Sequence, residues 1–230
     1  ESAGSPGRTI VANHNLHSIY LYHKNPALRA YCDRAAHIHI DGMPVVWWGR
    51  LLGLPLTRAH RVAFLDWQDD FFRQAAKAGW RIFYLGGEAT VAGQAAELLR
   101  ARHPGLHLMA EHGFHAKTGP DNAAVIERIR NFAPHILIVG MGMPLQEQWV
   151  LDNWAALPDC VILNQGAAFN YIAGVEAEAP RWWGKLGIEW LYRFVHAARR
   201  LFRRYFVEPW FLLPFMWGDL LRYRLRRGQP

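Results

Sequence analysis

Ile136-Leu137-Ile138-Val139 is an unbroken apolar run that ends at Gly140-Met141-Gly142, and the chain repeats that figure along most of its length. Short apolar runs at Thr9–Val11, His37–Ile40, Arg81–Leu85, Leu106–Ala110 and Cys160–Leu163 alternate with segments of helical spacing at 16–35, 66–78, 90–102, 122–131 and 146–154. A run apolar at successive positions predicts a strand covered on both faces, and such strands occur where helices pack on both sides of a parallel sheet. The turns agree: Asn13-His14-Asn15, Asp41-Gly42, Gly86-Gly87 and Gly166-Ala167-Ala168 follow runs, while Gly79 and Pro134 close helices. The alternation predicts an α/β class, a Rossmann-like and mostly parallel sheet flanked by helices. No internal repeat is present. A length of 230 residues holds one such domain and an appendage, here divided as a core over 1–193 and a C-terminal helical appendage over 194–230.

Charge sets the appendage apart. Of a net +7, residues 181–230 carry 11 Lys/Arg against 3 Asp/Glu, leaving 15 against 16 in residues 1–180. The body is neutral and the tail carries the field. Arg199, Arg200, Arg203 and Arg204 have a spacing that shares one helical face, and Trp190, Phe194, Phe202, Phe206, Trp210 and Trp217 lie among them. Arginine with aromatic residues suits the headgroup layer of an anionic membrane, at about 1 kcal/mol for each basic residue. Single-stranded nucleic acid is the competing partner for such a pattern, through the same charges and stacking. The apolar run Phe211–Trp217, broken by Pro214, is far short of the ~20 residues of a spanning helix. Glu1–Arg8 has no apolar segment of the secretory type, which leads to the expectation of a cytoplasmic protein held at the membrane's inner face. Cys32 and Cys160, the two cysteines, lack any metal-ligand spacing and read as reduced core thiols. No metal or cofactor motif is found: Gly-x-Gly-x-x-Gly, the P-loop and Asp-x-Asp are all missing.

In parallel α/β sheets ligands bind at the carboxyl ends of the strands, which makes the loops there the candidate chemistry. Asp41 reads either as a turn residue capping the next helix or as a general base, since an ordinary carboxylate near pKa 4 is ionised at neutral pH and can take a hydroxyl proton. Gly86 and Gly87 serve either a close backbone approach to a phosphate or a plain strand-to-helix turn. In Gly140-Met141-Gly142-Met143-Pro144-Leu145-Gln146-Glu147, Pro144 opens a helix and Gln146 and Glu147 fall in its first turn, where they can bond a sugar or a base.

These blocks, in this order, resemble the WecG/TagA/CpsF glycosyltransferases, glycosyltransferase family 26, from about Ile10 to Tyr205. The matching motifs are the Asn13-His14-Asn15 loop, Asp41-Gly42-Met43-Pro44-Val45, Tyr84-Leu85-Gly86, Gly142 to Glu147, and Glu189-Trp190-Leu191-Tyr192-Arg193. The resemblance implies an inverting, metal-independent hexosyl transfer from a UDP-sugar to an undecaprenyl-diphosphate-linked sugar, forming a β-linkage in surface or exopolysaccharide synthesis. It implies Asp41 as base, with Asn13, Asn15, Gly42, Gly86, Gly87, Gly140, Gly142, Pro144, Gln146, Glu147 and Asn170 around the substrates. Arg193, Arg200, Arg203 and Arg204 are its candidates for the diphosphate. The chain departs from the family at Asn13 for Thr, Leu145 for Lys, Asn170 for Asp and Glu178 for Arg. These departures favour glucose over N-acetylmannosamine or its uronic acid as the sugar, in the manner of a xanthan-type enzyme. A nucleic-acid-binding module and a nucleotide-binding scaffold without catalysis are the other classes weighed, and nucleic acid is not expected as a partner. The oligomeric state is open, a homo-oligomer included.

Overall fold

The apolar runs become six parallel strands in the order β2-β1-β6-β5-β3-β4. In chain order these are β1 (Thr9–His14), β2 (His37–Ile40), β3 (Arg81–Gly86), β4 (His107–Glu111), β5 (Ile136–Gly140) and β6 (Val161–Asn164). The computed structural model describes residues 7–176, 183 and 189–227. β5 is buried at every position, as its unbroken apolar run requires. The helices are α1 (Leu16–Lys24), α2 (Pro26–Arg34), α3 (Met43–Leu51), α4 (Phe64–Ala78), α5 (Ala89–Arg102), α6 (Gly119–Phe132), α7 (Leu145–Asp152), α8 (Ala168–Ile172), α9 (Glu189–His196), α10 (Ala198–Phe202) and α11 (Glu208–Arg227).

The chain divides into two compact units. The sheet unit comprises the described residues of Glu1–Ala12, Asn25–Ile38 and Phe64–Ala177. Its core is built from Phe72, Ile82, Tyr84, Ala95, Leu99, Ile138 and Phe169, contributed by α4, β3, α5, β5 and α8. The cleft unit comprises the described residues of Asn13–Lys24, His39–Ala63 and Glu178–Pro230. There α11 packs along α1: the Tyr20 and Phe211 rings meet edge to face at 5.2 Å, His23 stacks on Phe215 at 4.1 Å, and Lys24 Nζ sits 4.2 Å above Phe211. Among the described residues no helix is long and apolar enough to cross a membrane.

One reading needs correction. The single helix expected over 16–35 is two, because Asn25 adopts an extended conformation and its side chain accepts from Leu28 N–H at 2.9 Å, with Pro26 opening α2. A five-residue π-helical turn at Arg203–Val207 separates α10 from α11.

Candidate active site

The cleft unit encloses a cavity of about 370 Å³, in the size range of small-molecule sites. Asp41 and Gly42 reach it from the turn between β2 and α3, Asn15 and His17 from the start of α1, Arg61 from the following loop, and Arg204 from the π turn. Trp47, Trp190 and Phe206 supply apolar wall.

Local bonding explains how Asp41 arrives there. Its N–H donates to the His14 carbonyl at 2.8 Å, tying the end of β2 to that of β1. Gly42, not Asp41, occupies the N-cap position of α3. Asn15 Nδ2 instead donates to Asp41 Oδ2 over a long 3.4 Å. Asn15 is itself held as the cap of α1: its Oδ1 accepts from Ser18 N–H at 3.1 Å, and its own N–H donates to Ser18 Oγ at 2.8 Å. The same Oδ1 accepts from Arg204 Nη2 at 3.4 Å, which makes Asn15 the bridge between carboxylate and guanidinium.

The neighbouring imidazoles do not add charge. Burial holds His14 and His39 below the ordinary 6.5, with His39 further lowering His14 and Asp41 partly offsetting the effect at His39. His17 is lowered by burial and then by Arg204, against the opposing pull of Glu208. It is therefore mostly neutral near pH 7. Its Nδ1–H donates to the buried Glu208 carboxylate at 2.6 Å, fixing the start of α11 against α1. Positive charge in the cleft comes from Arg61 and Arg204.

Sequence reasoning missed Arg61 and His17. Arg61 enters through an isolated parallel bridge to Ile40, with Val62 N–H donating to the Ile40 carbonyl at 2.7 Å, and no local pattern announces such a bridge. The signal for His17 lay in Glu208, an acid among arginines 191 residues away. Among the expected arginines, Arg204 lines the cleft and Arg203 is exposed outside it; the side chains of Arg193 and Arg200, and all of Glu178, lie outside the described residues. Asn13 is a strand residue of β1 and does not line the cavity.

The other candidates belong to the sheet unit. Gly86 and Gly140 are register partners on β3 and β5, and a Cβ on Gly86 would lie 2.4 Å from the Gly140 carbonyl oxygen. A Cβ on Gly140 would lie 2.6 Å from Tyr84 Oη, which makes close packing of the strand ends sufficient reason for both glycines. Gly87, at φ +61°, starts the turn beside the Asn170 side chain, and Asn170 Nδ2 donates to Glu176 at 3.2 Å. Pro144 caps α7, and Gly142 takes φ +82° in open space. Gln146 and Glu147 do fall in the first turn of α7, but they point inward. Gln146 is 0% exposed, its Oε1 accepting from the amides of Gly142 at 3.1 Å and Gly166 at 3.3 Å. Glu147 Oε1 accepts from Gln146 at 2.7 Å and Asn164 at 3.1 Å, and burial raises its carboxyl above the usual range despite these bonds. The pair ties together the loops after β5 and β6 from below. Among the described residues no group of three or more His, Cys, Asp or Glu is placed to hold a metal ion.

A carboxylate and two arginines thus share one cleft, in a chain built on a parallel α/β sheet. The model of the Glycosyl transferase WecG/TagA/CpsF family matches residues 1–229, and the chain belongs to that family. It is similar to N-acetylglucosaminyldiphosphoundecaprenol N-acetyl-β-D-mannosaminyltransferases of Staphylococcus aureus, among them those of strains MW2 and MRSA252. Each is 28% identical over 206 residues, covering 85% of this chain and 79% of the relative.

Proposed function

We propose that this glycosyltransferase moves a hexose from a UDP-sugar to a sugar carried on a polyprenyl diphosphate, with inversion and without a metal, at an anionic membrane surface. One observation carries the proposal: Asp41 faces a cleft that also holds Arg61 and Arg204 and is bridged to Arg204 through Asn15. In the reaction the acceptor hydroxyl oxygen bonds to the donor's C1 as the C1–O bond to UDP breaks. The electron pair leaves with UDP, and the hydroxyl proton passes to Asp41. A single displacement inverts C1 and needs one base and a stabilised leaving group. Arginines answer the charge of a diphosphate by charge-assisted bonds.

The relatives' names support the diphosphate-lipid acceptor and point to N-acetylmannosamine as the sugar. The departures at Asn13, Leu145, Asn170 and Glu178 instead support glucose. Incubation with UDP-glucose or UDP-N-acetylmannosamine and a polyprenyl-diphosphate sugar, read by mass spectrometry of the lipid, decides between them. With the productive donor, Asp41→Asn lowers turnover by about 10²–10⁴-fold, the usual share of a general base, while UDP binding and the melting temperature stay put. Unchanged turnover in that variant rejects Asp41 as the base.

A further inference from the structure

On α3 and α11, consecutive residues face two different cavities of the cleft unit. Trp47 and Pro209 line the cleft that holds Asp41 and Arg204, whereas Trp48 and Trp210, the next residue on each helix, line a second cavity of about 630 Å³. Neighbours on an α-helix point about 100° apart, which lets the two cavities share the same pair of helices as walls. Their chemistry is opposite. The cleft contains a carboxylate and two arginines, while the second cavity is a groove walled by Leu51 and Leu52 on one side and Leu213, Met216 and Trp217 on the other, with no charged lining residue.

We infer that this groove holds the isoprene units nearest the head of a prenyl diphosphate whose diphosphate lies in the adjoining cleft. The inference rests on the proposed function and names the subsite for the lipid part of that acceptor. Three observations support a chain as the occupant. The cationic cleft and the apolar groove adjoin along α3 and α11, as the head and tail of one amphiphile require. The groove runs between two helical walls, α3 and α11, as an extended chain requires. Its second wall is also built in advance. α11 is pinned from the opposite side by the Tyr20, His23 and Lys24 contacts to Phe211 and Phe215 and by the bond from His17 to Glu208, so little ordering is spent when a chain enters.

Calorimetric titration of the full chain, in buffer free of vesicles and detergent, tests this with inorganic diphosphate, dimethylallyl diphosphate and farnesyl diphosphate below its micellar concentration. The expected result is farnesyl diphosphate binding at least tenfold tighter than dimethylallyl diphosphate. Leu213→Asp should remove that gain and leave dimethylallyl diphosphate unaffected. Leu51→Asp, on the other wall and at a residue 61% exposed, should do the same without a folding cost. A chain-length gain that survives both variants, or none in the unaltered protein, overturns the assignment. Loss of vesicle binding in the two variants with no chain-length gain would show that a bilayer covers the groove, and equally overturns it. Failure of the proposed function looks different: farnesyl diphosphate binds with the expected gain, yet no sugar is transferred to a polyprenyl-diphosphate sugar.

Discussion

Glu147 shows how a side chain can stand in the right turn and face the wrong way for the task its sequence suggests. The motif set it and Gln146 at the mouth of a glycine loop, and placement in the first turn of α7 was legible. Their direction was not, because it depends on two donors for which no local pattern speaks: the Gly166 amide finds Gln146, and Asn164 finds Glu147. Buried amide donors need partners, and these two side chains provide them. The carboxyl is raised above its reference of 4.5 by burial, so the folded state keeps a proton that the unfolded state has released. Stability from this group is therefore full below about pH 4.5 and declines as pH rises through the raised folded value. Glu147→Gln keeps an oxygen for Gln146 and Asn164 but cannot ionise. The variant's melting temperature relative to the unaltered protein should climb between pH 4 and pH 8 by thermal denaturation in matched buffers. Parallel curves across that range would show that the carboxyl ionises without cost.

At the scale of elements, strands were the most legible part. The runs at 37–40, 81–85 and 136–139 became β2, β3 and β5 with at most one further residue, and for β3 and β5 apolar composition on both faces leaves few alternatives. Helix joints were less legible. Pro26 split the first helical segment because its missing N–H and ring are tolerated only at a helix start, a rule present in the sequence but masked by continuous apolar spacing on both sides. The π turn at Arg203–Val207 had no sequence signal; within it Arg204 lines the cleft and Arg203 is exposed. A second joint fixes the end of α11. Gly53, at φ +74° after α3, meets Tyr223 so closely that an added Cβ would lie 1.7 Å from its hydroxyl. Gly53→Ala should cost about 1–2 kcal/mol from the left-handed backbone alone and more from displacing Tyr223. Combining it with Tyr223→Ala should return the second contribution and keep the first, as a double-mutant cycle by urea denaturation measures. Full additivity of the two changes would mean that Tyr223 does not press on this turn.

For the molecule as a whole, the uneven charge is the property with the widest reach, since a neutral body and a tail of 11 Lys/Arg against 3 Asp/Glu give the field one source. Arg222 and Arg224 lie on α11, both exposed, and Phe202 on α10 is 55% exposed. A cation near an anionic leaflet gains about 1 kcal/mol, so Arg222→Gln with Arg224→Gln should weaken binding to vesicles rich in phosphatidylserine by about 20–30-fold. Half-molar salt should have a comparable effect, because screening shortens to a few ångströms and removes the long-range attraction while leaving aromatic insertion intact. Vesicle sedimentation across a salt series separates the contributions: the charge-dependent part falls with salt, and the residue is the share of the aromatics. Single-stranded oligonucleotides in the same assay provide the contrast, since a basic aromatic surface that serves nucleic acid would bind them with a similar salt slope and be competed off the vesicles. Binding to vesicles that ignores both salt and the two substitutions would assign the membrane contact to the apolar face alone. Strong competition by oligonucleotide would instead move the tail's charge from lipid to nucleic acid.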